Sequence, residues 1–123
     1  GFYDNTKFFR AVRRFMVQFG IAGVPLQSSL EREAIPDDPR RQSNSFGTVS
    51  FAMAGPGSRT TQVFVSTRDN SYLDGMGFAP FGWVVGEGMR VVESLFTGCA
   101  PRPTAARSQP YTLLSAEPAC ACA

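Results

Sequence analysis

Helical spacing of apolar residues is confined to one sustained segment, Glu87 to Phe96, and this constrains the fold more than any other feature of the chain. There Met89, Val92 and Phe96 recur at three and four, with Glu87, Arg90 and Glu93 elsewhere. That pattern predicts one amphipathic helix ending at Gly98. The other apolar runs have strand length and are separated by Gly, Pro, Asn and Asp. The spacing predicts strands at Lys7 to Val12, Phe15 to Ile21, Thr48 to Ala54, Thr61 to Ser66 and Phe81 to Val85. Short strands with long decorated connections point to a mainly β fold, a closed or nearly closed antiparallel β-barrel. The apolar stripe of the helix would plug the barrel mouth or cover a sheet.

Turn chemistry sets the connections. Arg13-Arg14 breaks the first two runs into a β-hairpin. Residues 25 to 46, with Pro25, Pro36, Asp37, Asp38, Pro39 and Ser43-Asn44-Ser45, read as a long loop with one helical turn around Leu30 to Ala34. Gly55-Pro56-Gly57-Ser58-Arg59 reads as a turn, and without a following lysine or helix start it is no phosphate loop. A second long connection, Asp69 to Pro80, contains Asn70, Asp74-Gly75 and Gly77. After Cys99 the chain carries Pro101, Pro103, Pro110 and Pro118 among Ala, Ser and Thr, so residues 99 to 123 read as a Pro/Ala-rich tail, extended or partner-dependent.

Composition excludes several chemistries. There is no histidine among 123 residues, which removes the commonest general base and the commonest metal ligand. Twelve basic and ten acidic residues leave a net charge of +2, too little for a nucleic-acid footprint without strong clustering. Arg13-Arg14 and Arg40-Arg41 are expected to be solvated turn residues. RNA binding would require these pairs to converge on one surface. No apolar run approaches the roughly 18 residues of a membrane-spanning helix. Cys99, Cys120 and Cys122 do not resemble a secreted disulfide framework, which favours a reducing compartment or organelle interior. Cys120-Ala-Cys122 lacks a second ligand pair, so no metal is expected. Gly1-Phe2-Tyr3-Asp4-Asn5 contains neither an initiator methionine nor a signal-peptide pattern, and the chain is expected to begin part-way through something longer.

Two blocks carry a resemblance. Phe8-Phe9-Arg10-Ala11-Val12-Arg13-Arg14-Phe15-Met16-Val17-Gln18-Phe19-Gly20 resembles the cyclophilin signature, an arginine in one strand followed after a turn by Phe-Met-x-Gln. Phe51-Ala52-Met53-Ala54-Gly55-Pro56, Thr61-Gln62-Val63-Phe64-Val65 and Tyr72-Leu73-Asp74-Gly75 resemble the second block of that family, and Phe81-Gly82 and the final helix follow in order. The resemblance runs over about residues 1 to 98. It implies a cyclophilin-like antiparallel barrel, here incomplete because the opening strands and first helix of the family are absent, with one C-terminal amphipathic helix. It also implies cis/trans isomerisation of X-Pro bonds in proline-containing polypeptides, without a cofactor.

By the same resemblance Arg10 is the catalytic guanidinium and Gln18 orients it. Phe15, Met16, Phe64 and Leu73 form the proline pocket with Tyr72 beside them, while Gln62 and the backbone at Met53 grip the peptide. Such chemistry suits a chain without histidine, because rotation needs no deprotonation. A fixed cation near the prolyl nitrogen favours the resonance-broken state, and arginine is permanently charged and planar.

Several positions depart from the family. Met53 stands where Asn is usual, Tyr72 replaces the Trp of cyclosporin-sensitive members, Phe9 stands where His commonly precedes the arginine, and Phe19 where Gly commonly follows the glutamine. Phe78 is a candidate for the pocket wall that a histidine lines in many members. A second functional reading is a weak or inactive cyclophilin-like subunit of a larger assembly, with neighbouring subunits completing the barrel and the tail acting as a docking arm.

Overall fold

A computed structural model describes residues 1–22 and 30–95. The expected tail, the three cysteines and Phe96 lie outside the described residues. The rest follows the predicted order: β1 (Arg10–Val12), β2 (Met16–Phe19), β3 (Thr48–Phe51), β4 (Val63–Ser66), β5 (Pro80–Trp83) and α1 (Gly88–Ser94). Short 3-10 turns occur at Leu30–Arg32, inside the predicted helical turn, and at Ser71–Met76, which the turn-rich spacing did not indicate. Among the described residues, no helix is long and apolar enough to cross a membrane.

The strands form one five-stranded sheet in the order β1-β2-β4-β3-β5, antiparallel at every pairing. It is an open sheet with β1 and β5 at its edges, not the closed or nearly closed barrel that the strand spacing predicts. The regular ladders are shorter than the apolar runs, although Phe9 N–H still donates to Gln18 O at 3.1 Å and Ala52 N–H to Gln62 O at 2.9 Å. Periodicity marks which residues can line a strand, and the partner's length decides where pairing stops.

Alternation along the strands gives the sheet two different faces. Ala11 pairs with Val17, Val17 with Val65 and Val65 with Val49. These residues form one core cluster, on which Val92 and Met89 of α1 pack. The stripe predicted for the helix thus covers a sheet face. Phe19 joins this side, edge-on to Phe8 at 5.0 Å and to Tyr3 at 5.9 Å. The alternate register, Arg10 with Gln18, Gln18 with Phe64 and Phe64 with Ser50, lies on the opposite face. That face bears the candidate site.

Gly20 closes the end of β2 against the start of β4. It has φ 103°, and a Cβ there would stand 2.4 Å from the carbonyl oxygen of Thr61. Gly20→Ala is expected to destabilise the fold by more than about 1 kcal/mol, since both the positive φ and the backbone approach exclude a side chain. A urea midpoint equal to that of the parent protein would contradict this account.

Candidate active site

Arg10 and Gln18 face each other across the β1–β2 hairpin because they are register partners on the same side of the sheet. Arg10 Nη1 donates to Gln18 Oε1 at 3.3 Å, and Gln18 Nε2 donates to Gln62 Oε1 at 2.9 Å. Gln18 is buried, so its amide is held at both ends. The chain of hydrogen bonds ends on the guanidinium of half-buried Arg10.

Gln18 is also the register partner of Phe64 across β2 and β4, which sets the polar chain directly beside an apolar cluster. Met16, Phe64 and Leu73 are buried together, with Val12, Phe15, Ala52 and Phe78 packed against them. Phe78 stands edge-on to Phe64 at 5.7 Å, and Phe15 stacks on Tyr72 at 6.3 Å. Tyr72 is largely exposed. Met53 is half-buried at the end of the Ala52 segment, its Cε 3.2 Å from where a Cβ on Gly77 would lie. The fold therefore brings Arg10, Gln18, Gln62, Phe15, Met16, Phe64, Tyr72 and Leu73 onto one face. Met53 lies beside the loop that supplies Leu73.

A polar scaffold that sequence reasoning did not single out holds that loop. Asn44 is fully buried. Its Nδ2 donates to Asp74 Oδ1 at 2.7 Å and to Phe78 O at 2.9 Å, and its Oδ1 accepts from Ser50 Oγ at 2.7 Å. Ser43 Oγ and the Asn44 N–H also donate to Asp74, at 2.6 and 2.9 Å. Asn70 ties the loop start to the hairpin by donating to Phe15 O at 2.8 Å. A separate strap is made by buried Arg59, which pairs with Asp37 at 3.2 Å and Asp38 at 3.1 Å and ties the Gly55 to Arg59 turn to the long loop. Arg40, expected to be a solvated turn residue, is drawn to Asp74 at 3.6 Å. Its neighbour Arg41 is exposed.

The family model for cyclophilin type peptidyl-prolyl cis-trans isomerases matches residues 1–116. The chain belongs to the cyclophilin family. It is 33% identical over 104 residues to peptidyl-prolyl cis-trans isomerase B of Escherichia coli, covering 77% of this chain and 63% of that protein. It is 33% identical over 105 residues to peptidyl-prolyl cis-trans isomerase A of Dickeya dadantii, covering 77% and 53%. A peptidyl-prolyl cis-trans isomerase-like 1 of Gibberella zeae is 38% identical over 79 residues, covering 61% and 49%. The chain thus spans about half to two thirds of the length of these cyclophilin relatives.

The scaffold of this cyclophilin domain is expected to weaken in acid. Burial alone would raise the Asp74 carboxyl, but hydrogen bonds from Ser43 and Asn44 and the nearby Arg40 charge outweigh it, so its pKa lies below the ordinary value. A carboxyl depressed by folding stabilises the native state above its unfolded pKa, about 3.9 for Asp, and that contribution is lost as pH falls through the lower folded value. Thermal midpoints are expected to hold above about pH 4 and fall below it. Asp74→Asn should flatten that part of the profile. An unchanged slope would remove Asp74 from the account.

Proposed function

We propose that this domain is a peptidyl-prolyl cis-trans isomerase acting on X-Pro bonds of polypeptide substrates. The uncatalysed rotation has a barrier of about 18–20 kcal/mol because it breaks C–N resonance. In the transition state the prolyl nitrogen becomes pyramidal and gains a lone pair, which the planar ground state does not offer. Arg10 donates a charge-assisted hydrogen bond to that nitrogen, so the interaction strengthens only as the bond twists. Gln18 keeps the guanidinium oriented. The proline ring sits against Met16, Phe64 and Leu73, with Phe15 and Phe78 as walls, while Gln62 and the backbone at Met53 hold the flanking peptide. Neither a proton transfer nor a bound cofactor is required.

The observation that carries this reading is the Arg10–Gln18 contact at 3.3 Å beside the buried Met16, Phe64 and Leu73 cluster. The test is the isomerisation rate of an Ala-Pro peptide with and without the protein. No acceleration would reject the reading. It would favour instead a structural subunit whose sheet is completed by a neighbouring polypeptide, a role that draws on the β5 edge, where Phe81 and Trp83 are exposed.

A further inference from the structure

The hairpin tip beside the site is built from residues its backbone does not favour. Phe15 N–H donates to Val12 O at 3.1 Å, which makes Arg13 and Arg14 the central residues of the turn. Arg14 has φ 58°. A third turn position at positive φ is relaxed for glycine or asparagine and strained for arginine. Both arginines are exposed. The next element of the sheet adds another cation, because Thr67 N–H donates to Phe15 O at 3.0 Å and sets exposed Arg68 next to the tip.

These charges are not neutralised locally. Among the described residues the ion pairs are Arg40–Asp74, Arg59 with Asp37 and Asp38, and Arg90–Glu87, and none involves Arg13, Arg14 or Arg68. The neighbouring acid, Asp69, accepts the Ser71 N–H at 2.9 Å at the start of the 3-10 turn. Phe15, which follows Arg14 directly, stacks on Tyr72 and packs on the apolar cluster. The cations therefore border the Met16, Phe64 and Leu73 cluster at its Phe15–Tyr72 end. Solvated turn residues would be free to take any polar type, whereas here a strained position and its neighbour both hold cations beside the proposed peptide site.

We infer that the preferred substrate segments carry acidic side chains within a few residues of the proline, read by Arg13, Arg14 and Arg68. This rests on the isomerase reading. Surface charges about 8 Å apart in water interact weakly and are screened by salt, so together they give a rate preference of about three- to tenfold at low ionic strength.

The experiment compares kcat/KM for three peptides around one Ala-Pro bond: all-neutral flanks, a Glu pair before the bond, and a Glu pair after it. At low salt at least one acidic peptide is expected to exceed the neutral one by about three- to tenfold, with the ratio falling toward one in 0.5 M salt. Arg14→Gly combined with Arg68→Gln should reduce the ratio, while Arg14→Lys, which keeps the charge, should retain it. Acceleration of all three peptides at equal, salt-independent rates would overturn this inference and leave the isomerase reading intact. No acceleration of any peptide would instead reject the isomerase reading. Displacement of the acidic peptide by a single-stranded oligonucleotide at lower concentration than by free acidic peptide would assign the cations to a nucleic acid and also overturn it.

Discussion

Replacing Arg10 by alanine is expected to lower kcat/KM for an Ala-Pro peptide by about 100- to 1,000-fold, the loss typical when one preorganised electrostatic donor is removed from an active site. The expectation follows from what the guanidinium touches. Among the described residues it contributes one hydrogen bond, to Gln18 at 3.3 Å, and Gln18 keeps its second contact with Gln62 at 2.9 Å when Arg10 is truncated. The cost to stability should stay near the 1 kcal/mol of a single net hydrogen bond, so a lost rate with a near-parental denaturation curve is the diagnostic combination. Arg10→Lys should recover part of the rate, because it restores the charge without the planar fork. An alanine variant that retains full activity would remove Arg10 from the mechanism.

Asn44→Ala should produce the largest loss of stability, about 2 to 4 kcal/mol, because it removes three side-chain hydrogen bonds from a fully buried position and leaves the buried Ser50 hydroxyl unpaired, which alone costs about 1–3 kcal/mol. Ser50 Oγ loses its acceptor and Phe78 O its side-chain donor, while Asp74 Oδ1 loses one donor and keeps the Asn44 N–H. Against a total of about 5–15 kcal/mol for an ordinary domain, this is a large fraction. The same substitution releases the loop bearing Leu73 and Phe78, so KM for peptide should rise in whatever fraction remains folded. Urea denaturation of the variant measures the first effect and peptide kinetics the second. A midpoint shift below what about 1 kcal/mol would produce would show that the scaffold is redundant.

Strand existence, the Arg13-Arg14 hairpin and the helix were legible because alternation and three-to-four spacing are local properties, written in consecutive residues such as Thr48 to Phe51 or Met89 to Val92. The likeness of the Phe15-Met16-Val17-Gln18 stretch to a family signature named the candidate site. Its scaffold was not legible. Asn44, Asn70 and Asp74 sit in segments with no period, and a polar residue in a turn-rich stretch looks the same whether it faces water or is fully buried, as Asn44 and Asn70 are.

By itself the sequence determined which residues could share a face: Arg10 with Val12 on β1, Met16 with Gln18 on β2, and the apolar stripe of α1. Only the tertiary structure decided which faces meet. Antiparallel register placed Gln18 beside both Arg10 and Phe64, and packing drove Asn44 under the loop of Leu73 and Phe78. The reason is physical. Backbone alternation acts between neighbours along the chain, whereas hydrogen bonds such as Asn44 to Asp74 span long sequence separations, so their existence depends on the whole fold having closed around them.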